Sequence, residues 1–100
     1  MIYHEIVHTC SNSHVADAAV LSLGGEFARA LADDASRHDM SRGAYVARIV
    51  RDFAENAEPG DEREVLAAVE GSQQPILSGL RFILERGAPP DAEAMRAHRM

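Results

Sequence analysis

Leu21-Ser22-Leu23-Gly24-Gly25-Glu26-Phe27 opens a stretch that runs on through Ala28-Arg29-Ala30-Leu31 and Arg37-His38-Asp39-Met40 to Ser41-Arg42-Gly43-Ala44-Tyr45-Val46-Ala47-Arg48-Ile49-Val50-Arg51-Asp52-Phe53. Just before and inside its first turn, Ala19, Leu21 and Leu23 alternate with Ala18, Val20 and Ser22, a period of two that predicts a short, half-buried strand. Phe27, Ala30, Leu31 and Ala35 then recur at helical spacing, as do Tyr45, Val46, Ile49, Val50 and Phe53 beyond the break at residues 39–41. One strand and two helices do not close a core alone. A lone strand leaves both edges open, and a ribbon is stable only when helices cover one face. Pairing the strand with its copy about a twofold axis completes a ribbon over four helices, so a homodimer is expected.

These residues resemble the ribbon-helix-helix family of bacterial and phage transcription factors and antitoxins. The resemblance covers about a third of the chain without a gap: Leu21-Ser22-Leu23 fits the family strand, Glu26-Phe27 opens its first helix, and Met40-Ser41-Arg42 fits its turn between helices. It implies a mainly α fold, a ribbon-helix-helix core at residues 17–57, with double-stranded DNA as partner. The outward strand positions that read bases in the major groove then fall on Ala18, Val20 and Ser22, and the interhelix turn that holds the DNA backbone falls on Ser41 and Arg42. Two positions depart from the family: Asp34 stands where an apolar residue is usual, and Asp39 where glycine is usual. The reading positions depart further. Base edges are read by hydrogen bonds, and of the three only Ser22 supplies one, while Ala18 and Val20 offer contact with a thymine methyl.

Local chemistry supports parts of this independently. Ser41 has the right side chain to cap the second helix by accepting from an amide one turn on. A helix N-terminus presents unpaired amides and a partial positive charge, a natural phosphate site to which Arg42 adds a charged donor. The first helix is expected from Gly25 to about His38, with Glu26 in its first turn and Arg37 in its last, as the helix dipole favours. Asp39 tolerates the left-handed conformation that ends such a helix.

One hundred residues, 46% of them hydrophobic, suit one soluble domain that gains burial by oligomerising. No apolar run approaches the roughly 18 residues that span a bilayer, so no membrane partner is expected. The opening Met1-Ile2-Tyr3-His4-Glu5 lacks a basic region followed by an apolar one, which points to the cytoplasm. A single cysteine, Cys10, excludes an intrachain disulfide framework. The net charge is −6, with five arginines against eight acids in residues 1–56 and the same in residues 57–100, and no lysine. Any DNA contact must therefore use a few local arginines and backbone amides.

Residues 1–16 read as an N-terminal extension with a possible strand. On a strand Ile2, His4, Ile6, His8 and Cys10 share one face, and Ser11-Asn12-Ser13 then turns. His4, His8, Cys10 and His14 are ligand-type residues, but without paired Cys-x-x-Cys or His-x-x-x-His spacing backed by carboxylates they are assigned to solvent, and no metal is expected. Pro59-Gly60 punctuates a linker at residues 58–60. Residues 61–100 form a C-terminal helical region: Asp61 with Glu64 reads as a capping signal, Gly71 as a stop, and Pro75 as a first-turn residue. Ile76, Leu77, Leu80, Ile83 and Leu84 then form an apolar stripe, followed by a loose helix over residues 91–99. The stripe either packs within the protein or docks a protein partner, as the tails of antitoxins do.

The expected function is DNA-binding transcriptional regulation by a dimer whose paired strands enter the major groove. The alternative is an antitoxin-like or other protein-interaction module using the C-terminal helices. No enzyme and no cofactor are expected: there is no phosphate-binding glycine loop, no nucleophile elbow, and no pairing of carboxylates, since Asp33 and Asp34 point to different helix faces.

Overall fold

The alternation at residues 18–23 belongs to a helix. In the computed structural model, which describes residues 2–87, α2 spans Ser13–Leu23 and no strand occurs among the described residues. The inward positions of α2 are Ala16, Ala19 and Val20, with Leu23 half-buried: an i, i+3, i+4, i+7 set that fits a helix as well as the alternation fits a strand. Because residues 18–23 are all apolar or small, period alone does not choose between the two. Packing of that face against the other helices selects the helix, and the Asn12 side chain caps its start by accepting from the amides of His14 at 2.9 Å and Val15 at 3.2 Å. Without a strand there is no ribbon. The ribbon-helix-helix resemblance and the mainly α, ribbon-centred fold drawn from it are therefore corrected to an all-helical arrangement, and the argument for a dimer from an unpaired strand lapses with them.

The N-terminal extension is likewise helical. Helix α1, Ile2–Cys10, buries Tyr3, Ile6 and Cys10, spaced by three and four residues. The alternation of Ile2, His4, Ile6, His8 and Cys10 that suggests a strand is overridden by packing: the face that meets the other helices is Tyr3, Ile6 and Cys10.

Helices α3, Gly25–Arg37, and α4, Arg42–Asn56, fall where the periodicity predicts two helices on either side of a break. Asp39 ends α3 in the left-handed region at φ 56°, the amide of Met40 bonding back to the Ala35 carbonyl at 3.0 Å and that of Asp39 to Ser36 at 3.1 Å. Ser41 caps α4, its hydroxyl accepting from Ala44 at 3.3 Å. The expected linker is instead the start of α5, Pro59–Val69: Pro59 sits where no helical amide is needed, and Asp61 accepts from the Glu58 amide at 3.0 Å. Gly71, at φ 77°, turns the chain after α5, and α6 begins at Pro75 and runs Pro75–Gly87. The helix expected over residues 91–99 lies outside the described residues.

All six helices contribute to one core. Helix α4 is its centre, burying Tyr45, Val46, Ala47, Ile49 and Val50 and lying closest to α2. That approach requires Gly43: a Cβ there would collide with the carbonyl oxygen of Ser13. Helix α6 closes the other side, with Leu80, Ile83 and Leu84 fully buried in the same core as Ile6, Leu31 and Val65. No helix among the described residues is long and apolar enough to cross a membrane.

Candidate functional site

The residues assigned to DNA fall in two places. Val20 is fully buried, whereas Ala18 and Ser22 lie exposed on α2, where the Ser22 hydroxyl donates back to the Ala18 carbonyl at 3.2 Å. Ser41 serves as a helix cap. Arg42 is engaged by Asp17: its Nε donates to one carboxylate oxygen at 2.5 Å and its Nη2 to the other at 3.2 Å. This bidentate pair holds the Asp17 carboxyl below its ordinary range, chiefly through the hydrogen bond from Arg42, and burial opposes the shift only in part. The carboxylate thus takes the guanidinium at the start of α4, where a phosphate was expected. No local spacing in the sequence announces this contact, which joins residues 25 positions apart.

A second feature is a groove of about 420 Å³ along α4, floored by Ile49 and Phe53 and rimmed by His38, Tyr45, Arg48 and Arg86. Tyr45 donates its hydroxyl to the Asp34 carboxylate, and the His38 ring stacks on Tyr45 with centroids 5.3 Å apart. Asp34 also pairs with Arg37 at 2.9 Å, and its carbonyl meets His38 Nδ1 at 2.9 Å. The acid that departs from the family pattern is therefore a fastening point between α3 and α4. Arg48 faces Asp52, and Arg86 faces both Asp61 and Glu64, so the charges of the rim are balanced. No serine, threonine or cysteine lines this groove.

The third feature is the outward side of α2. Val15 is 41% exposed and Leu21 52%, and they are the large hydrophobic residues exposed among those described. Ala18 and Ser22 are exposed between and beside them, and His14 precedes them. None of the exposed positions of α2 is an acid or an arginine; its single acid, Asp17, keeps 38% of its side chain in solvent and pairs with Arg42.

The remaining sequence candidates do not come together. Cys10 is fully buried, and burial pushes its thiol up to about 11. His4 and His8 lie exposed on α1 and His14 on α2, and the described residues contain no group of three or more metal-ligating side chains. In the C-terminal stripe, Leu80, Ile83 and Leu84 are buried in the core and Ile76 and Leu77 are half-buried against it. No protein-family model, curated protein or solved structure matches this chain.

Proposed function

We propose that this chain is a small protein-interaction module whose contact surface is the outward face of α2. The observation that carries this reading is that Val15 and Leu21, the large hydrophobic residues exposed among those described, both lie on the outward side of α2, whose exposed positions carry no acid and no arginine. Apolar surface left in water is stabilised when a partner covers it, at about 25 cal/mol per Å². The charged surface offers less. Arg42, Arg48, Arg81 and Arg86 are each paired with an acid of the same chain, and the net charge of −6 disfavours a polyanion. Docking through the stripe of α6 is disfavoured for a different reason: a partner reaching Leu80 or Ile83 would first have to open the core.

The reading is tested in cells with a photo-cross-linking side chain in place of Ser22. A discrete protein adduct is expected there, none from the same side chain in place of Arg63 on α5, and loss of the Ser22 adduct when Leu21→Asp is added without change in melting temperature. An absent adduct, or salt-sensitive retention on duplex DNA that is lost in Arg42→Ala, would overturn it.

A further inference from the structure

Helices α2 and α3 are joined by one residue, Gly24, which ends the first and begins the second. It stands at φ 131° and ψ 147°, a conformation that residues with a Cβ rarely adopt. Space is not the reason for glycine here, since a Cβ at position 24 meets nothing within 4 Å, and the same holds at Gly25. The sharp turn therefore rests on the backbone of Gly24 alone. Two adjacent glycines also disfavour the alternative, a helix that runs straight through, because glycine is a poor helix former.

The closed turn leaves helical hydrogen bonds unmade. Gly24 has no side chain to cap α3, and its own amide bonds the Leu21 carbonyl at 3.3 Å. A continuous helix over residues 13–37 would pair the amides of residues 24–27 with the carbonyls of residues 20–23. The Gly24 carbonyl already accepts from the Ala28 amide at 3.0 Å, as it would in that helix. Straightening carries α1 and α2 away from α4 and α6, against which both pack. A second copy straightened in the same way supplies every contact so lost. We propose that Gly24 is a hinge between this closed chain and a dimer in which two copies exchange α1 and α2, the Gly24–Gly25 pair favouring the closed state. The exchange reuses core contacts, the Asp17–Arg42 pair and the approach of Gly43 to Ser13 among them, and makes no demand on the outward face of α2. Only the junction differs between the two states, so one residue's backbone and the protein concentration set the balance.

Exchange requires the core to open, so the full chain is unfolded and refolded at low micromolar to submillimolar concentration and its mass measured by sedimentation. The wild type is expected to be monomeric at the lower end, with a dimer fraction that grows toward the upper. Gly24→Ala is expected to raise the association constant by about tenfold or more, because alanine disfavours the closed turn and favours the straight helix at two junctions per dimer. D-alanine at position 24, introduced by chemical ligation, favours positive φ and is expected to stay monomeric where Gly24→Ala is dimeric. Exchange itself is read from charge reversal in the Gly24→Ala background. Asp17→Arg and Arg42→Asp each lose the pair within one chain, but the two variants refolded together form it twice in an exchanged heterodimer. That heterodimer is expected to exceed its statistical share by about threefold or more. A Gly24→Ala chain that stays monomeric throughout, a D-alanine chain that dimerises equally, or a heterodimer at its statistical share would overturn the proposal. Should Gly24→Ala fail to fold, the charge-reversal mixture in the wild-type background at submillimolar concentration decides by the same criterion.

Discussion

Helices α2 and α6 are both rich in apolar residues, and the protein treats them oppositely. In α6, Leu80, Ile83 and Leu84 are buried while Arg81, Glu85 and Arg86 face water, so the charged residues mark the outer side in advance. Helix α2 has no such marker. It buries Ala16, Ala19 and Val20, yet leaves Val15, Ala18 and Leu21 outside. A helix with apolar residues on every side fits a position covered all round, and α2 is covered on one side within the chain. The difference shows that an apolar stripe is a statement about possible burial, and that the stripe best suited to a partner is the one the core does not use.

Substitution by a charge separates the two helices most sharply. Leu84→Asp places an unpaired carboxylate in the core and is expected to cost more than about 4 kcal/mol, enough to abolish the cooperative thermal transition. Leu21→Asp is expected to stay within about 0.5 kcal/mol of the wild type in the monomer. If Leu21→Asp also unfolds the chain, the contrast between an internal and an external apolar face is broken.

A smaller effect is expected where α2 meets α4. Gly43→Ala drives a Cβ into the backbone carbonyl of Ser13 and should cost about 1–3 kcal/mol in chemical denaturation. Gly79→Ala should cost less, because its Cβ meets side-chain atoms, Cδ1 of Ile6 and Cγ1 of Val69, rather than backbone. Equal costs at the two sites would mean that α2 and α4 are free to part.

The smallest effect sharpens the account of the Asp17–Arg42 pair. The folded pKa of Asp17 is lowered, so its contribution is present above the unfolded value of about 3.9 and is lost as the pH falls through the lower folded value. Asp17 is 38% exposed and Arg42 24%, which screens the pair to less than about 1 kcal/mol. The stability difference between the wild type and Asp17→Asn should therefore be constant above about pH 5 and shrink on acidification below about pH 4. A constant difference down to strongly acidic pH would show that the pair does not link α2 to α4 in solution.

The α3–α4 hairpin was legible because its signals are local. Phe27, Leu31 and Ala35 mark one inward face and Tyr45, Val46, Ile49 and Val50 another, while Ser41 and Asp39 carry the chemistry of a cap and a left-handed stop within one turn of where they act. The first 23 residues were misread because β-branched residues and a run of small apolar ones satisfy strand and helix alike. The candidate surface was illegible for a related reason. Val15, Ala18 and Leu21 differ in nothing but direction from Ala16, Ala19 and Val20.

The sequence by itself determined which segments are helical where charged and apolar residues alternate at 3.6-residue spacing, where the turns at Asp39 and Gly71 fall, and that the surface is acidic overall. Only the tertiary structure decided that residues 13–23 are a helix, which side of it is buried, and that Asp17 binds Arg42. The physical reason is that helix periodicity and capping are properties of neighbours within about one turn, whereas the burial of one apolar face over another is settled by elements far along the chain: α4 and α6 claim one side of α2 and leave the other to solvent.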